Sequence, residues 1–194
     1  MIASNGIKRF VGKKITELQN GTPSSRANLA ILRRGLGKEI EEYAEAWEFI
    51  YTDFPNELTG KNGGVSEAER AIYAALTLFA MHQQALDHSV HNKEMKFGEA
   101  TASIISIKKE NESAVTRRFN SLITSDGFSE LTNHLRNMIH LIKSTDSTIG
   151  FDYEEFASDL FFFQLPDLKK NIKIRWGKQF YRNNVESNKS EESE

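Results

Sequence analysis

Residues 67–88 constrain the fold more than any other stretch. Ser66-Glu67-Ala68-Glu69 has the form of a capping box, in which serine and glutamate reciprocally satisfy free N–H groups at a helix start. Behind it, Ile72, Ala75, Leu76, Phe79, Ala80 and Gln83 recur at helical spacing, and Ala71, Ala74, Leu78 and Ala85 widen the apolar surface beyond one face. A helix that is apolar around most of its circumference has to be surrounded by other elements. The spacing therefore predicts a central helix over 67–88 with the rest of the chain packed around it.

The remaining segments are punctuated in the same manner. Only three prolines occur, each at a plausible helix boundary. Thr22-Pro23 reads as an N-cap and first position of a helix that runs to Arg34 and stops at Gly35 or Gly37. Apolar spacing predicts further helices over 5–19, 39–51, 97–107, 114–124, 128–143, 153–164 and 166–182. The 39–51 helix rests on Ile40, Tyr43, Trp47 and Ile50. Trp47, Leu76, Phe79, Phe119, Leu135, Phe156, Leu160 and Trp176 are the expected core. No run alternates with the two-residue period of a strand, so the expected fold is all-α, with eight or nine helices in two packed helical bundles. The expected lobes are 1–92 and 93–182, and residues 183–194 read as a disordered acidic tail.

Composition narrows the chemistry. With no cysteine there can be no disulfide, thiolate metal site or cysteine nucleophile, which fits a reducing cytoplasm. No stretch approaches the roughly 20 apolar residues that span a bilayer, so no membrane contact is expected. His82, His88 and His91 lack the spacing of paired ligands on one helical face, and no cofactor or metal is expected. Asp152, Glu154, Glu155 and Asp159 suit the dipole of a helix start better than acid–base catalysis. Phosphate-loop, nucleophile-elbow and dinucleotide patterns are absent, and the expectation is a non-enzyme.

What stands out is cationic. Arg33-Arg34 and Arg117-Arg118 are dyads inside helical, apolar-periodic stretches, in a chain of net charge −2. Adjacent helix positions differ by about 100°, so one or both members of a dyad flank the apolar stripe, with the stem packed and the guanidinium at the surface. Guanidinium forks match phosphate oxygens, although helix arginines also pair with carboxylates, which are plentiful here. Lys93, Lys96, Arg136, Lys173, Arg175, Lys178 and Arg182 extend the set. Aromatics do not interleave with it, so contact with phosphate backbone fits better than base stacking.

Taken in order, several blocks resemble the CasB family, the small subunit of the type I-E Cascade CRISPR surveillance complex. They are Leu29-Ala30-Ile31-Leu32-Arg33-Arg34-Gly35, the run Glu69 to Ala80 followed by His82-Gln83, and Gly98-Glu99-Ala100. Val115 to Leu122, His134-Leu135-Arg136, Asp159-Leu160 and Ile174 to Tyr181 complete the series, over about residues 26–182. Segment 55–64 and the acidic tail fall outside the resemblance. The resemblance implies an all-α, non-catalytic subunit, present as a homodimer beside the other Cascade subunits. It implies support for the CRISPR guide RNA–target heteroduplex and for the displaced strand of target DNA. Carried over by matching block, the implied nucleic-acid-binding residues are Arg33, Arg34, Arg117, Arg118, Arg136 and Lys178, with Lys96 from the loop before Gly98.

Two other readings stay open at this point. The arginines could meet acidic partner surfaces in a helical protein–protein adaptor that touches no nucleic acid. A small hydrolase could instead use Glu69, His82 and Asp87.

Overall fold

The computed structural model describes residues 2–191, with side chains from 3 to 182. Among them the chain forms nine α-helices joined by short links. These are α1 (Ile2–Leu18), α2 (Pro23–Gly35), α3 (Trp47–Tyr51), α4 (Glu67–His82), α5 (Phe97–Ile107), α6 (Glu112–Thr124), α7 (Phe128–Thr145), α8 (Tyr153–Phe163) and α9 (Pro166–Glu191). Extended pairing among the described residues is limited to one isolated bridge, between His91 and Phe151. The all-α expectation holds.

Helix starts follow the chemistry of their caps. Thr22 Oγ1 accepts from Ser25 N at 3.1 Å ahead of Pro23, which has no N–H to satisfy. The Ser66 hydroxyl accepts from Glu69 N at 3.0 Å, while Glu69 Oε2 accepts from Ser66 N at 2.6 Å. The same oxygen accepts from Gly60 N at 2.8 Å, so this buried carboxylate also pins the preceding loop. Asp152 Oδ1 accepts from Glu154 N and Glu155 N, both at 3.0 Å, and opens α8.

Helix α4 is buried on nearly every side, with α1, α2, α7 and α8 packed around it. Its C-terminal end stops at His82, short of the expected residue 88. There Lys143 Nζ, from α7, donates to the Met81 and Gln84 carbonyls at 3.1 and 2.5 Å. Gln83 then folds the chain back by bonding the His88 carbonyl at 2.6 Å and Val90 N at 3.1 Å. Helix α8, from the second expected lobe, packs on α1 and α4 of the first, and one buried cluster runs through both. Helix α9 lies along α5 at a close approach: a β-carbon on Gly98 would meet Gln179 Cβ at 2.6 Å and the Trp176 carbonyl oxygen at 2.7 Å.

Of the expected core, Leu76, Phe79, Phe119, Leu135, Phe156, Leu160 and Trp176 are buried. Trp47 is not; it is 42% exposed. Residues 39–51 form two 3₁₀ turns, Ile40–Glu42 and Ala44–Ala46, before the short α3. Ile40, Tyr43, Ala46 and Phe49, spaced by three, are buried here, with Ile50 beside them. Three residues per turn is the 3₁₀ period, and Trp47 falls off that stripe. At the other end, α9 runs on helically to Glu191, past Asn183, where the sequence suggests unstructured chain. No glycine or proline interrupts it after Gly177. The tail carboxylates Glu192 and Glu194 lie outside the described residues.

Two buried ionisable groups have opposite effects on stability. Burial, helped by the Lys143 charge, pushes His82 down to about 4, while its Nδ1 faces the Tyr153 hydroxyl at 3.0 Å. Burial pushes Asp159 up to about 7 against the pull of Arg175 and of Trp176 Nε1, which donates to it at 2.6 Å. His82 is depressed in the fold, so its contribution is present above its ordinary 6.5 and is lost as pH falls through about 4. Asp159 is raised, so its contribution is full below 3.8 and is lost as pH rises through about 7. The two slopes oppose each other between pH 4 and 6.5. Urea midpoints against pH should therefore show Asp159→Asn losing more stability than the parent as pH falls across that window. Identical profiles would mean that Asp159 is ionised throughout.

Candidate nucleic-acid interface

The cations are segregated along the chain. Helix α2 contains Arg26, Arg33 and Arg34 and no carboxylate. In α6 and α7 the only acids are Glu112 and Glu130, both in the first turn. The bodies of three helices are thus acid-free in a chain with 27 acidic residues.

Folding brings parts of these helices together around α7. Arg136, His140 and Lys143 stand four and three residues apart on α7, which is one stripe of a helix. On one flank lies the end of α2. Arg33, in its last turn, is partly exposed. Partial burial and the neighbouring Arg34 charge lower its pKa. Lys143 is lowered by burial and by the Arg33 charge. The Lys143 ammonium is already bonded to the Met81 and Gln84 carbonyls, so Arg33 and Arg136 are the cations of this flank without a bonded partner among the described residues. Arg136 reaches the same seam: its Nη1 lies 3.7 Å from where a β-carbon on Gly37 would stand. Gly37, at φ +83°, has the left-handed backbone that glycine adopts readily.

On the other flank α6 and α7 enclose a groove with Arg118, Ser121, His134, Asn137, His140 and Ser144 at its sides and Met138 and Leu141 below. Arg118 is exposed, with no ion-pair partner among the described residues. Glu130 approaches one end of the groove, 3.9 Å from His134 Nε2. Helix α7 is therefore a ridge, with Arg33, Arg136 and Lys143 on one side, where Glu39 shares the Arg136 groove, and the Arg118 groove on the other.

The other residues singled out from the sequence sit elsewhere. Arg34 is exposed but bonded to Glu45 at 3.0 Å. Arg117 faces away from Arg118, over a shallow groove that includes Glu110 and Glu112. Lys96 is held by Glu155 at 2.6 Å and Asp152 at 3.2 Å. Lys93 is paired with Glu154 at 2.7 Å, and Arg175 is clasped by Asp159. Lys173 Nζ lies 5.8 Å from the centre of the Phe163 ring. Lys178 and Arg182 are exposed along a separate groove between α5 and α9, with Asn171, Gln179 and Glu99. The structure thus brings Arg33, Arg118 and Arg136 around one ridge and places Arg117, Lys178 and Lys96 apart from it. Lys143 and His140 belong to that ridge and were not singled out from the sequence. Their spacing from Arg136 is the signal that could have found them.

The residues of the hydrolase reading are not assembled. Glu69 is spent on the α4 cap, His82 is buried against Tyr153, and the Asp87 side chain is fully exposed. Among the described residues no group of His, Asp and Glu is arranged to hold a metal ion. No described helix is long and apolar enough to cross a membrane.

Lys96 and Arg136 should separate structure from binding. Lys96→Ala leaves two part-buried carboxylates without their cation and should cost about 1–2 kcal/mol of stability, between the values for exposed and buried pairs. Arg136→Ala, at an exposed side chain, should leave the urea midpoint near the parental value. A Lys96→Ala midpoint equal to the parent would remove its structural role.

Residues 28–181 match the family model for the CRISPR-associated protein Cse2. No curated protein sequence matches the chain. CasB from Thermobifida fusca is similar in structure, with 26% identity and a TM-score of 0.72 over 90% of this chain and 97% of that one. M. ruber CasB gives 23% identity and a TM-score of 0.72 over 94% and 97%. A chain of a CRISPR RNA-guided surveillance complex gives 17% identity and a TM-score of 0.72 over 99% of both. The last two likenesses bear on the fold alone.

Proposed function

Because the chain belongs to the CRISPR-associated Cse2 family, we propose that it is a non-catalytic subunit of a type I-E Cascade surveillance complex that holds nucleic-acid backbone. Its partners are the other Cascade subunits, the guide RNA and target DNA, with a second copy of itself in the same assembly. The observation that carries the strand-holding reading is the ridge of α7, where Arg33, Arg136 and Lys143 gather on one flank and Arg118 lines the other. Arg33, Arg118 and Arg136 have no ion-pair partner among the described residues, which leaves their guanidinium groups to phosphate oxygens.

The mechanism is electrostatic. Sequence is read by base pairing between guide and target, while this subunit neutralises phosphates of a strand whatever its sequence. The heteroduplex formed and the duplex replaced are close to balanced in stability. A few phosphate contacts that hold the displaced strand can then decide whether the open loop persists. Lys178 and Arg182 offer a second cationic line for a neighbouring stretch of backbone.

The test is purification of the assembled complex through the tagged chain. The expected result is recovery with partner subunits and a guide RNA of discrete length. Arg136→Ala complexes should assemble as the parent does and hold target DNA more weakly for every matched sequence. Failure of that variant to assemble would instead favour the adaptor reading, with the arginine as a subunit contact.

A further inference from the structure

The charge segregation that leaves α6 and α7 almost acid-free has a counterpart on the opposite sign. Between residues 39 and 60 there is no lysine, arginine or histidine. Three carboxylates of this stretch are met by cations from other helices: Glu45 by Arg34, Glu41 by Arg70 and Asp53 by Lys13. Glu39, Glu42, Glu48 and Glu57 are exposed and have no ion-pair partner among the described residues. Trp47, next to Glu48 in this stretch, is 42% exposed. Its Nε1 donates to the Ile40 carbonyl at 2.7 Å, which fixes the ring. The outward surface of the indole is therefore rigid, apolar and free of hydrogen-bonding demand.

We propose that Trp47 and the carboxylates of this stretch form a docking surface for an arginine-bearing face of a partner protein. A fixed indole lowers the entropy cost of binding, and tryptophan is enriched among residues that anchor interfaces. The unpaired carboxylates decide the occupant. They repel phosphate, which excludes nucleic acid, and they attract cations. Arginine fits better than lysine, since guanidinium stacks on an aromatic face while its edge bonds carboxylates in pairs. The stretch already accepts guanidinium groups from α2 and α4, in Arg34–Glu45 at 3.0 Å and Arg70–Glu41 at 2.7 Å. The inference goes beyond strand holding and is independent of it, since it uses a different surface and a different ligand.

The test titrates the full chain into fluorescein-labelled hexa-arginine and hexa-lysine peptides and reads anisotropy. The parent should bind the arginine peptide at least roughly threefold more tightly than the lysine peptide, the size expected of one exposed cation–π contact. Trp47→Leu should erase that preference, and Glu42→Gln/Glu48→Gln should weaken both peptides. The arginine peptide should also shield Trp47 from acrylamide quenching, while Trp176, 1% exposed, stays insensitive. Equal affinity for the two peptides in the parent overturns the proposal, as does an arginine preference that survives in a folded Trp47→Leu. Should Trp47→Leu not fold, unchanged quenching of the parent with peptide bound overturns it. Self-association of the parent that Trp47→Leu abolishes would give the surface to a second copy and overturn the stated occupant.

Discussion

Leu76→Ala is expected to destabilise the protein by about 2–5 kcal/mol, the range for emptying a fully packed leucine site. Leu76 is completely buried on α4, the helix that α1, α2, α7 and α8 surround. A cavity there cannot be filled by solvent, and neighbours on several helices would have to shift together to close it. Because α8 joins segments from both ends of the chain through one buried cluster, the loss should appear in a single cooperative transition. Urea unfolding followed by circular dichroism measures it. A loss below about 0.5 kcal/mol would mean that α4 is peripheral, since even a single buried methylene contributes more than that.

The boundaries that could be read from the sequence were those set by local chemistry. The Ser66–Glu69 box, Thr22-Pro23, Asp152 and Pro166 each mark a helix start within the turn where it is found. Core positions on α4 and α7 follow from α-helical spacing alone. Residues 39–51 defeated that spacing because Ile40, Tyr43, Ala46 and Phe49 fit a three-residue period as well as Ile40, Tyr43, Trp47 and Ile50 fit the α period. Only packing against the rest of the fold decides between them, and it turned Trp47 outward. The end of α4 was similarly hidden, because the group that caps it, Lys143, lies 62 residues from Met81 in sequence.

The charged residues divide by the same logic. Arginines at the surface were predictable from the dyads, but their company was not. Arg34 meets Glu45 from the segment that follows its own helix, and Lys96 meets Asp152 and Glu155 from a distant one. Arg33 has no ion-pair partner among the described residues. Whether a surface arginine is paired or free depends on which helices end side by side, and that is a tertiary property. The resemblance to a family located the blocks; the packing of α2, α6 and α7 assembled three of them into one ridge.

Removing that ridge should have the second large effect. Arg33→Ala/Arg118→Ala/Arg136→Ala should lower the thermal midpoint only slightly, because Arg118 and Arg136 are exposed, Arg33 is part-buried and none makes an ion pair among the described residues. Binding of the displaced strand by the assembled complex should fall by at least about tenfold at near-physiological salt, since bonds from guanidinium to phosphate are charge-assisted. Phosphate contacts carry no base information, so the weakening should be equal for matched targets of unrelated sequence.

The most direct measurement is the slope of log affinity against log salt for parent and triple-variant complexes on matched double-stranded target DNA, which supplies the displaced strand. Removing one phosphate-neutralising arginine should flatten the slope by roughly 0.7, so the triple variant should be shallower by about 2. A variant with weaker binding but the parental slope, or with weakening confined to particular sequences, would contradict the claim that these arginines hold the backbone.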